Sequence, residues 1–94
     1  MSRAVYKQQL AFGKNMLRLP KTSNVRHVHE QRGALAIWYE ADLTYPEERR
    51  EFHVMATGQP LPLHGSGEYN HYHGTIHLPD ATVWHVYEVC SNGH

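Results

Sequence analysis

One cysteine, Cys90, in a chain of 94 residues excludes any disulfide within it. An unpaired thiol fits a reducing, cytoplasmic setting best. Net charge is also missing: nine Lys and Arg balance nine Asp and Glu. That balance argues against the long-range phosphate attraction behind nonspecific nucleic-acid binding, so charge must act locally. No apolar run approaches the ~20 residues of a membrane helix, and Tyr6-Lys7-Gln8-Gln9 interrupts any signal-peptide core after Met1. A soluble, unprocessed protein is expected. Helical stripes of i, i+3, i+4, i+7 spacing are absent as well. Their absence removes phosphate loops and dinucleotide folds, which need a helix after their glycines. No repeat, linker or low-complexity segment divides residues 1–94, and no cofactor is expected. A single domain of this size buries somewhat under ~68% of its unfolded surface, enough for one core without a metal or a disulfide.

Period-two alternation predicts an all-β fold, a small antiparallel sandwich or partly closed barrel of about seven strands. Ala4 to Leu10 is expected to turn at Phe12-Gly13-Lys14-Asn15 into a short return strand, Met16 to Leu19, stopped by Pro20. Val25 to Glu30 passes through Gln31-Arg32-Gly33, read as a type I turn with a G1 bulge at Gly33, into a long central strand, Ala34 to Asp42. Tyr45 to Arg50 reads as a charged loop or one helical turn. Glu51 to Thr57 follows, then the Gly58 to Gly67 loop, rich in Pro and Gly, and the strands Tyr69 to Leu78 and Thr82 to Val89. Tyr72, Ile76 and Leu78 are expected inward. The main core is expected from Trp38, Phe52, Ile76 and Trp84.

What the chain has in quantity is histidine, nine residues, as many as Lys and Arg combined. Residues two apart on a strand share a face. His27 and His29 therefore project together, and so do His71, His73 and His77 if their strand carries no bulge. Such a surface can hold a divalent metal through neutral imidazoles. Alternatively, with Arg26 and the nearby Arg18, Lys21 and Arg32, it can hold a phosphate or carboxylate. Plain exposed surface is the third reading. The site residues favoured for an anionic ligand are Arg26, His27, His29, His71 and His73, helped by the Gly58 to Gly67 loop; metal binding stays open. His85, between Trp84 and Val86, reads as a buried histidine bonded to a neighbour. Ser66 lacks the strand-to-helix elbow of a hydrolase nucleophile, and Cys90 lacks a base that the sequence identifies, so no catalytic residue is assigned.

Two resemblances add context. Gly65, five residues, His71-x-His73 and then His77 resemble the first cupin motif, with His77 in place of the glutamate and Trp84 in place of the closing glycine. That likeness implies a metal-dependent enzyme using His71 and His73. More of the chain is similar to a family of short bacteriophage and prophage proteins, a domain of unknown function. The similarity is carried by Tyr45-Pro46-Glu47-Glu48-Arg49-Arg50-Glu51-Phe52, Ala56-Thr57-Gly58-Gln59-Pro60-Leu61-Pro62, Gly67-Glu68-Tyr69, Gly74-Thr75 and Val83-Trp84-His85-Val86-Tyr87-Glu88-Val89, together with Leu19-Pro20-Lys21. The family resemblance implies an accessory, non-enzymatic binding protein in the host cytoplasm. Its expected targets are a small anionic, nucleotide-like signal of host defence or a host protein. A homo-oligomer is expected, because one small sheet domain offers little concave surface.

Overall fold

The computed structural model describes residues 2–63 and 65–91. Within them the chain forms seven strands and no helix: β1 Ala4–Leu10, β2 Gly13–Pro20, β3 Asn24–Gln31, β4 Ala34–Ala41, β5 Glu47–Ala56, β6 Glu68–His77 and β7 Val83–Ser91. They pair antiparallel in two sheets, ordered β1-β4-β3 and β2-β5-β7-β6. The extents are 41 × 36 × 16 Å, and the thin dimension suits two stacked layers about 10 Å apart. The sheets do not close into a barrel, so of the two expected architectures the fold is consistent with the sandwich. Alternation explains which side chains go inside. On β4, Leu35, Ile37, Tyr39 and Ala41 are buried toward the other sheet, while Trp38 and Glu40 on the opposite face are half-buried.

Several local expectations are corrected. β1 and β2 do not pair with each other; they enter different sheets, β1 beside β4 and β2 beside β5. Asn15 holds the corner, accepting from the Ala11 N–H at 2.8 Å and donating to the Ala11 and Gly13 carbonyls. The β3–β4 hairpin has a two-residue loop with positive φ at both Arg32 (54°) and Gly33 (82°), the signature of a type I′ turn in place of a type I turn with a bulge. Of Tyr45 to Arg50 only Tyr45 and Pro46 lie in the connection: β5 already begins at Glu47, because β2 offers a partner as far as Pro20, opposite Glu47. Trp38 leaves the core for the outer face and Tyr72 is 51% exposed. Trp84 only packs against the core's margin, which Phe52, Leu19, Ile37, Ile76, Val54 and Val86 fill without exposure above 2%.

β3 of one sheet packs over β6 of the other. They come close at Gly74, where an added Cβ would overlap Val28 Cγ2. Gly74 does not have a positive φ, so its role is steric. Gly74→Ala is therefore expected to destabilise by the ~1–3 kcal/mol typical of overpacking. In the Val28→Ala background the same change should cost at least ~0.5 kcal/mol less, a coupling that a double-mutant cycle of urea unfolding measures. Additive losses would show that the two residues do not compete for one space.

Candidate functional site

Two β-bulges face each other across the β3/β6 approach. In β3 the register shifts between Val25 and His27, leaving Arg26 as the extra residue; in β6 it shifts between Tyr72 and Gly74, leaving His73. Each bulge swaps which parity faces the core. In β3, Val25 packs inward before the bulge and Val28 after it. His27 and His29 consequently lie exposed on the outer face of their sheet. In β6, His71 and His73 stay on the inner side, whereas Gly74 and Ile76 take it over beyond the bulge. His77, paired with Val83, faces the other way from His71 and His73.

Between the bulges lies a cavity of about 290 Å³ lined by Ser23 to Arg26, Arg50, Tyr69, His71, His73, Glu88 and Cys90. Its floor is a buried trio. Arg50 donates through Nε to Glu88 Oε2 at 2.6 Å and through Nη2 to Glu88 Oε1 at 2.9 Å, while His73 Nε2 meets Glu88 Oε1 at 2.8 Å. The side chains of Arg50, Glu88 and His73 are 15%, 6% and 8% exposed. Arg50 Nη1 also donates to the Ser23 carbonyl at 2.7 Å. Phe52 packs beneath, its ring 5.6 Å from both the guanidinium carbon and the His73 ring centre. Ser23 is fixed in turn: its hydroxyl donates to the Pro20 carbonyl at 2.5 Å, and Arg3 holds the neighbouring Thr22 carbonyl at 2.9 Å. Thr22 itself has φ of 67°.

Burial alone would push the Glu88 carboxyl up, but the hydrogen bonds from Arg50 and then His73 outweigh it and hold Glu88 at about 2. Burial works against the Arg50 charge too, and Glu88 more than restores it. The Cys90 thiol is pushed up by burial first and by Glu88 second, so it stays protonated at neutral pH, the opposite of an activated nucleophile. At the rim Arg26 Nη2 donates to Glu40 Oε1 at 2.9 Å across an exposed pair. Donors are left over. Three of the five Arg50 N–H groups are used within the trio and at Ser23, and His71 and the Asn24 side chain make no hydrogen bond among the described residues.

Of the five site residues expected from sequence, Arg26, His71 and His73 come together here, while His27 and His29 do not. The Gly58 to Gly67 loop is not part of this cavity: Gly58, Gln59 and Leu61 line another, of about 190 Å³, with His85 and Tyr87 on the outer face of the four-stranded sheet. Its His64 lies outside the described residues. His85 is half-buried and bonded on both nitrogens, to Thr57 Oγ1 at 2.8 Å and Thr75 Oγ1 at 3.0 Å, as a structural histidine should be. For a metal centre on His71 and His73 the geometry offers no support. His73 Nε2 is occupied by Glu88, and among the described residues no three or more His, Cys, Asp or Glu side chains are grouped to hold an ion. Arg50 and Glu88, which organise the cavity, escaped the sequence reading. One signal for Glu88 existed, a carboxylate in the same parity as Trp84 and Val86.

Because its carboxyl is held at about 2 against an ordinary 4.5, Glu88 contributes about 3 kcal/mol that is fully present above pH ~4.5 and lost as pH falls through ~2. Glu88→Gln leaves Arg50 buried without its counter-charge and should lose about 3–5 kcal/mol at pH 6. Denaturant unfolding of both proteins from pH 6 to 2 checks the sign, since the gap between them must close as the pH drops.

No curated protein and no solved structure matches this chain. A family model covers residues 1–93, and the chain belongs to the family described as domain of unknown function DUF7352.

Proposed function

We propose that the protein is a non-enzymatic binding protein whose cavity between β3 and β6 takes the anionic group of a small ligand. One observation carries the reading: two bulges on facing strands bring Arg26 and His73 to the same cavity, above an arginine with unused N–H groups. Bulges recur beside binding sites because they re-aim a side chain, and Arg and His donors suit phosphate or carboxylate oxygens. Glu88 cancels the Arg50 charge but not its remaining donors, so recognition here works by directed hydrogen bonds. A volume of about 290 Å³ lies at the low end for ligand pockets. It suits a phosphate with part of its sugar, leaving the rest of a nucleotide-like ligand outside or against a second copy in a homo-oligomer. The protonated Cys90 favours binding over covalent chemistry. Within this proposal the chain is a phage-encoded accessory protein of the host cytoplasm that sequesters a nucleotide-like defence signal.

Calorimetry with inorganic phosphate and with linear and cyclic nucleotides tests the reading, and native mass spectrometry reports the oligomer and any carried ligand. Losing a charged donor removes ~1.5–3 kcal/mol, so Arg26→Ala and His71→Ala should each weaken binding roughly tenfold or more. Binding should weaken as salt is added. Full retention of nucleotide binding by both variants would place the site elsewhere.

A further inference from the structure

Apart from the anion cavity, and independently of that reading, we infer that His27 and His29 form an exposed two-histidine chelate for a labile first-row divalent ion, Cu²⁺ foremost. The pair stands apart from the other described histidines. His53, His73 and His85 are engaged by Glu51, Glu88 and the two threonines, and the histidine that shares the face of His77 on the neighbouring strand is that same doubly bonded His85. His71 lies near His73, their ring centres 4.8 Å apart, but that partner's Nε2 is taken. His27 and His29 are both exposed, both free of hydrogen bonds among the described residues, and on one face of β3. Val28 between them is buried and anchors the strand.

The geometry is close to what a chelate needs. Their ring centres lie 5.6 Å apart with the planes tilted by 38°. At a metal–nitrogen distance of ~2.0–2.1 Å, two adjacent imidazoles on one ion have ring centres roughly 4.5–5 Å apart. Rotations of two exposed side chains, which occur freely in solution, close that gap. Across the sheet, His29 stands opposite Ala36 and His27 stands opposite Trp38. Two neutral imidazoles with the remaining positions open to water follow the usual affinity order, so Cu²⁺ binds more tightly than Ni²⁺ or Zn²⁺. Neither ring has an outer partner to orient it, and Lys7 lies on the same face, bonded to Gln31 at 2.8 Å. Both features weaken the site and make the ion exchangeable.

Trp38 supplies the readout, its ring 5.8 Å from that of His27, within reach of quenching by a paramagnetic ion on that imidazole. Titration of the full chain with CuCl₂ in a non-chelating buffer at pH 7.5 should quench tryptophan emission saturably at one equivalent per chain. His27→Gln and His29→Gln should each weaken the midpoint at least tenfold, the double variant should abolish the saturable phase, and His71→Gln should leave it unchanged. Circular dichroism confirms that these exposed substitutions keep the fold, and Trp38→Phe should remove the quenched component. A saturable phase that survives in the double variant, or is lost in His71→Gln, overturns the assignment. So does saturation at half an equivalent with a copper-dependent dimer in gel filtration, which would make the ion a bridge between chains.

Discussion

Val28 occupies the space that a side chain at residue 74 would need, and on that one exclusion the spacing of the two sheets at β3 and β6 depends. The contact is possible only because each strand has changed parity one or two residues earlier. Without the extra residue at Arg26, Val25 and Val28 could not both face inward, and without the extra residue at His73, Gly74 and Ile76 would turn outward. Close packing beyond the bulges and a cavity before them are thus two consequences of one arrangement. Interiors resist gaps, so the strands meet where small and branched side chains permit and part where larger polar ones must be housed.

What fills the parted end is costly. Taking a carboxylate and a guanidinium out of water carries a desolvation penalty that their attraction repays only with good geometry and with the remaining hydrogen-bond capacity used. Here Glu88 is met by three donors from two side chains, while Arg50 also reaches the Ser23 carbonyl. Apolar side chains of similar size in the place of the whole ion pair would pack as well, so stability alone does not account for the trio. It ties β5, β6, β7 and the turn before β3 to one point and holds Arg50 in a fixed orientation. That rigidity supports the proposed use of the cavity, the presentation of fixed N–H groups to an anion.

The strands were legible because half-buried sheets impose period two, and β4 shows it best, with Leu35, Ile37 and Tyr39 against Trp38 and Glu40. The β3–β4 pairing was legible from the glycine of its turn. Three things were not. The partition of β1 and β2 between sheets depends on the partners that β4 and β5 offer far along the chain, about which the turn residues Gly13 and Asn15 carry no information. Burial of Trp38 was misjudged because an indole flanked by apolar residues reads as core, although its parity with Glu40 pointed outward. The bulges hid the candidate site. A reading that keeps strict alternation places His77 with His71 and His73 and turns Tyr72 inward, and both placements fail at the same residue. Gly74 within a strand and two valines three apart, Val25 and Val28, were the available signs.

Strand β3 therefore contributes to two separate surfaces because one residue is inserted into it. Arg26, the insertion, belongs to the cavity; His27 and His29, displaced by it, belong to the outer face. Had the ladder run without the bulge, the parity of Val25 would have carried both histidines inward against Leu35 and Ile37. Burying two imidazoles there without partners costs ~1–3 kcal/mol or more for each unsatisfied group, and Val28 would be exposed in exchange. The bulge costs a local break in the ladder, and what it avoids is larger. The sequence Val25-Arg26-His27-Val28-His29 is thus compatible with this sandwich in one register only, the register that separates a guarded polar cavity from an open histidine pair.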